Sequence, residues 1–94
     1  MSATGTAIID FGGWPGTQEA SVSVTGQTSI TSSNVAEAWM MGDTTSDHNE
    51  EDHEYANLFI GLTCDYPVNG VGFSIEAKCI DKMQGTFMVH WIWA

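Results

Sequence analysis

The sequence predicts an all-β fold: an antiparallel β-sandwich, jelly-roll-like or a small barrel, of about six to eight short strands. Three observations carry that expectation. Threonine, serine and valine are abundant and ten glycines are spread along the chain, which favours pleated strands joined by tight turns. Turn chemistry recurs at Gly12-Gly13, Trp14-Pro15-Gly16, Gly26, Gly42 and Pro67-Val68-Asn69-Gly70. No segment sustains a helical period, although residues 34–41 also suit one through Ala36, Glu37, Ala38 and Met40.

The elements follow in chain order as a single domain, residues 1–94, in which residues 1–5 are expected as a flexible arm. Strands are expected at 6–11, 19–25, 34–41, 55–64, 71–79 and 86–93. In 6–11, Ile8 points away from Ala7, Ile9 and Phe11. In 19–25, Val22 and Val24 face inward and Ser21, Ser23 and Thr25 outward. In 34–41, Val35, Trp39 and Met41 take one side and Ala36, Ala38 and Met40 the other.

The pair 55–64 and 71–79 reads as a hairpin closed by a two-residue type I′ turn at Asn69-Gly70. That turn sets Val68 opposite Val71, Tyr66 opposite Phe73, Cys64 opposite Ile75, Leu62 opposite Ala77 and Ile60 opposite Cys79. Apolar residues then share one face, while Asp65 with Ser74, Thr63 with Glu76 and Gly61 with Lys78 share the other. Cys64 and Cys79 fall four residues apart along the sheet, about 13 Å, beyond the roughly 7 Å reach of a disulfide. They are expected as reduced, core-facing thiols.

The closing strand is the anomaly. Phe87, Val89, Trp91 and Trp93 take one side, and Met88, His90 and Ile92 the other, so both faces are apolar. A two-layer sandwich buries one face per sheet, and an exposed apolar strand at an edge invites uncontrolled pairing. The expected resolution is a subunit interface built from Trp39, Met41, Met88, His90, Trp91, Ile92 and Trp93. The alternative is a central strand lined by His90 and the methionines.

Composition narrows the function classes. The 94 residues are 43% hydrophobic and 15% charged, which marks a globular chain. Twelve acids face two lysines and no arginine, a net charge of -10, so neither nucleic acid nor anionic lipid is expected as a partner. No apolar run approaches the roughly 20 residues that span a bilayer. The first residues carry no basic group ahead of their short apolar stretch, so the expected product matures without export.

"GDTTSDHNEEDHEY", residues 42–55, gathers half of the acids with His48 and His53. Histidine and carboxylate are the ligand set for zinc, manganese or iron, which makes His48, Asp52 and His53 the candidate metal ligands. Their spacing fits neither an H-E-x-x-H helix nor an EF-hand. The competing reading is a solvated polar loop whose histidines bond to backbone or nearby carboxylates. No cofactor and no enzymatic activity are expected. No G-x-S-x-G elbow occurs, both cysteines lie on apolar strand faces, and "DFGGWPG" lacks the spacing and lysine of a phosphate loop. Trp14-Pro15-Gly16 is read as a turn with a packed tryptophan, or as a presented aromatic for sugar or receptor contact.

"IIDFGGWPGTQEASVSVTGQTSI", "VAEAWMMGDTTSDHNEEDHEY", "NGVGFSIEAKC" and "GTFMVHWIWA", which together cover most of the chain, resemble a group of small virion-associated proteins of tailed bacteriophages. The resemblance implies a compact β-domain assembled in the host cytoplasm and built into the virion, without catalytic residues. The expectation is a capsid decoration or cement protein, a homotrimer that bridges neighbouring copies of the major capsid protein. The alternatives are a tail or fibre knob for a host receptor or glycan, and a small metal-binding β module.

Overall fold

The computed structural model describes residues 2–94 and is an all-β sandwich of two three-stranded antiparallel sheets. Sheet A holds β1 (Ala3–Asp10), β6 (Thr86–Trp93) and β3 (Ala36–Trp39) in the order β1-β6-β3. Sheet B holds β2 (Thr17–Val24), β5 (Phe73–Met83) and β4 (Ile60–Cys64) in the order β2-β5-β4. The sheets approach where β1 meets β2 and where β3 meets β4. A short helix, α1 (Glu50–Ala56), lies between β3 and β4 in the chain.

Period-two alternation assigns the faces. Along β6 the side chains alternate between half-buried and buried, with Phe87, Val89, Trp91 and Trp93 in the core. Ile9, Val24, Phe73 and Ile75 from the other strands, and Phe11 just past β1, join them in the core. Phe73 stands edge-on to Trp91, with ring centroids 5.6 Å apart. Trp93 Nε1 donates to Gln27 Oε1 at 3.0 Å, whereas the buried Trp91 Nε1 has no protein partner among the described residues. Gly5 lies directly opposite Trp91 on β1, and a side chain there would run into the indole.

The hairpin register is as expected along its length: Cys64 faces Ile75, Leu62 faces Ala77 and Ile60 faces Cys79, with Thr63–Glu76 and Gly61–Lys78 on the other face. At the turn it differs. Val68 pairs with Gly72 instead of Val71, so the loop has three residues, and Tyr66 is not set opposite Phe73 by a regular ladder. The reason is tertiary. Asn69 Oδ1 accepts the Ser32 N–H at 2.6 Å and Gly70 N–H donates to Ile30 O at 2.9 Å, so the turn is drawn onto the 27–34 loop. Gly72 passes so close to Val24 O that a Cβ has no room, and its φ of 154° suits glycine.

Five other expectations are corrected. Residues 3–5 are not a loose arm: Ala3 pairs with Trp93 and Gly5 with Trp91, while Met1 lies outside the described residues. Residues 34–41 keep only four as strand, and 55–59 are helix end and turn instead of strand. β5 continues to Met83, bending through an irregularity opposite Thr17–Glu19. Finally, β6 is the centre of its sheet, paired on both sides, so the edge-strand hazard inferred for it does not arise.

Candidate functional site

Two regions carry the side chains that the sequence singles out. The first is the outer face of sheet A. Its rows are fixed by register: Ile8 beside Met88, then Thr6, His90 and Trp39, then Thr4, Ile92 and Glu37. Ile8 is 52% exposed, Trp39 41% and, just past β3, Met41 51%, while Met88, His90 and Ile92 are half-buried between their neighbours. His90 stacks on Trp39, and its Nε2–H donates to Asp43 Oδ2 at 2.9 Å. The Thr44 N–H, foremost, and this imidazole hold the Asp43 carboxyl below its ordinary value of 3.8.

Sheet B shows what a solvated face looks like in the same molecule. Its outer rows carry Glu19, Ser21 and Ser23 from β2, Ser74, Glu76 and Lys78 from β5, and Gly61 and Thr63 from β4. One exposed ion pair, Lys78 with Glu19 at 4.0 Å, sits there and contributes little to stability. Ile80, 70% exposed towards the end of β5, is the apolar exception there, whereas sheet A sets Ile8, Met88, Trp39 and Ile92 among its threonines, His90 and Glu37.

The expected interface is therefore brought together only in part. Trp39, Met41, Met88, His90 and Ile92 border the outer face, but Trp91 and Trp93 do not. They are 6% and 2% exposed, enclosed by their own chain, and belong to the core. Ile8, absent from the expected set, completes the face. Its parity on 6–11 already opposed it to the core residues, and only its pairing with β6 was missing.

The second region is the acidic histidine segment. Asn49 caps α1 reciprocally: Asn49 Oδ1 accepts the Asp52 N–H at 2.9 Å, and Asp52 Oδ2 accepts the Asn49 N–H at 3.1 Å. Glu50, Glu51 and Asp52 occupy the first turn, where the helix dipole favours acids. His53 is fully buried. Its Nε2 accepts the Met88 N–H at 2.8 Å, so Nδ1 carries the proton that it donates to Asn49 O at 2.9 Å.

His48 stacks on Phe87 with centroids 4.1 Å apart, and its Nε2–H donates to Gln84 O at 2.8 Å. Its Nδ1 lies 3.4 Å from Asp52 Oδ2, an ion pair only when the ring is protonated. Asp47 Oδ2 accepts the Thr86 hydroxyl at 2.6 Å and the Thr86 N–H at 2.9 Å, and Thr45 Oγ1 donates to Thr86 O at 2.9 Å. The Thr86 hydroxyl first, then its N–H, hold the Asp47 carboxyl below 3.8.

These bonds have one purpose in common. β3 stops at Trp39, opposite His90, and leaves the 86–88 stretch of β6 without a strand on that side. Thr45, Asp47 and His53 take over its backbone groups, as a strand would. The loop reading of the histidines is right about their bonding and wrong about the backbone, which is helical from Glu50. With both ring nitrogens committed, His53 offers no lone pair to a metal, so His48, Asp52 and His53 do not form a ligand set. Among the described residues no group of three or more His, Cys, Asp or Glu side chains converges.

Cys64 and Cys79 are free and half-buried, and burial raises both thiols above their ordinary value. Trp14 is not packed: it is 85% exposed at the tip of the β1–β2 loop. Among the described residues no helix is long and apolar enough to cross a membrane. No protein-family model matches the chain, and no curated protein is similar to it.

Proposed function

We propose that the protein is a structural, non-enzymatic adhesion module whose outer sheet A face joins it to other polypeptides. In the reading that the sequence resemblance suggests, it is a decoration or cement protein of a tailed-bacteriophage capsid, a homotrimer set on the major capsid protein. The observation that carries the adhesive part is the contrast between the two outer faces. One fold and one solvent act on both, yet the outer rows of sheet B are mostly serines and charges, with Ile80 exposed towards the end of β5, while sheet A sets Ile8, Trp39 and Met41 around half-buried Met88 and Ile92, among Thr4, Thr6 and Glu37. Exposed apolar side chains gathered on one face in this way suit an interaction site. The net charge of -10 keeps such a chain soluble before assembly and disfavours nucleic acid as the partner.

Mass-spectrometric copy number in purified particles tests the virion reading. Hundreds of copies per particle are expected for decoration. Absence from the particles rejects the reading.

A second reading, a receptor- or glycan-binding knob on a tail or fibre, is favoured by Trp14. A tryptophan held free at a loop tip, beside the hollow formed with Gln18, Asp81 and Lys82, presents an aromatic face for a sugar ring. A handful of copies per particle, with glycan-array binding lost in Trp14→Ala, is the result that reading requires.

A further inference from the structure

A hollow of about 370 Å³ opens between α1 and the bent end of β5, apart from the adhesive face. Its base is apolar, made by Ala56, Met83 and Phe87. Three further aromatic rings border it: His48, itself stacked on Phe87, and the exposed Tyr55 and Phe59. Two exposed carboxylates, Asp52 and Asp81, complete the lining. Asp52 is fixed in place by the cap of α1, so its charge is set before any ligand arrives.

We infer that this hollow receives an arginine side chain presented by another polypeptide. Aromatic rings beside carboxylates match a cation, because a ring face turned to the ligand and the acids attract the same charge. A neutral apolar group would instead desolvate Asp52 and Asp81 without compensation. Among cations, guanidinium is planar and weakly hydrated, stacks on rings and pairs with carboxylate through a fork, whereas a lysine ammonium holds its water more tightly.

The donor is a different protein. This chain has no arginine, so a second copy cannot supply one. Its two lysines are placed elsewhere: Lys78 lies beside Glu19 on sheet B, and Lys82 borders the Trp14 hollow. The acidic surface as a whole draws a basic segment toward the site.

The test is titration of the ¹⁵N-labelled full chain with a capped Gly-Arg-Gly peptide, and with counterparts in which citrulline or lysine replaces the arginine. Saturable shifts are expected in residues 48–59 and 81–87 at concentrations on the order of 10 mM or below, as suits a single side chain. The citrulline peptide, the same shape without the charge, is expected to bind at least about tenfold more weakly, and Tyr55→Ala or Asp81→Asn to weaken the arginine peptide about fivefold. Both substitutions are at exposed positions away from the α1 cap. No saturable shift at these residues overturns the inference, as does citrulline or lysine binding as tightly as arginine. With the unmodified chain, the peptide comparison decides the matter even if a variant misfolds.

Discussion

At the scale of single residues, His53 is the side chain on which most depends. It is fully enclosed, and its two nitrogens serve Met88 N–H and Asn49 O, groups on two different elements. His53→Ala leaves the Met88 N–H without its acceptor beside a cavity, while Asn49 O keeps the residue 53 backbone N–H, and a loss of about 3 kcal/mol is expected in chemical denaturation. Asp47 sets the response to acid. Its folded pKa lies below 3.8, so its contribution is complete above the unfolded value and disappears as pH falls through the folded one. Asp43 adds a contribution of the same sign. The contribution of these two carboxylates is expected to be complete above about pH 5 and to be lost as the pH falls below about pH 4, read from the denaturation midpoint. Asp47→Asn should start lower at neutral pH and fall less steeply on the acid side.

At the scale of elements, what the sequence reveals is what period two controls. The β4–β5 register was legible because one shift would have thrown every apolar residue onto the solvent face. The inward and outward parities of β1, β2 and β6 were legible for the same reason. Helix α1 was hidden, since seven residues carry no sustained period and Tyr55, Leu58 and Phe59 favour a strand. Its stability comes from the Asn49 cap and from His53, and Asn49→Ala is expected to cost about 1 kcal/mol. Sheet order was equally hidden. Trp91 and Trp93 are core instead of interface because their side of β6 packs on sheet B, and nothing local shows this or the placement of β6 between β1 and β3. It also makes β6 indispensable. A chain ending at Gly85 leaves both β1 and β3 unpaired, and circular dichroism should show it unfolded.

At the scale of the whole molecule, the account rests on asymmetry between two layers of one sandwich. Most acids lie on sheet B, on α1 and in the loops, whereas the outer face of sheet A has Asp10 and Glu37 at its borders and Asp43 paired with His90. Association through that face keeps the like charges of the copies largely apart and covers the apolar rows. Ile8 is more exposed than the other large apolar side chains of these rows, and Ile8→Lys places a charge there without touching the core. Molar mass by light scattering at micromolar concentration tests this most directly. The account predicts three times the 10.2 kDa of one chain, falling to a single chain in Ile8→Lys. A steady 10.2 kDa for the unmodified protein, or an assembly indifferent to Ile8→Lys, contradicts it.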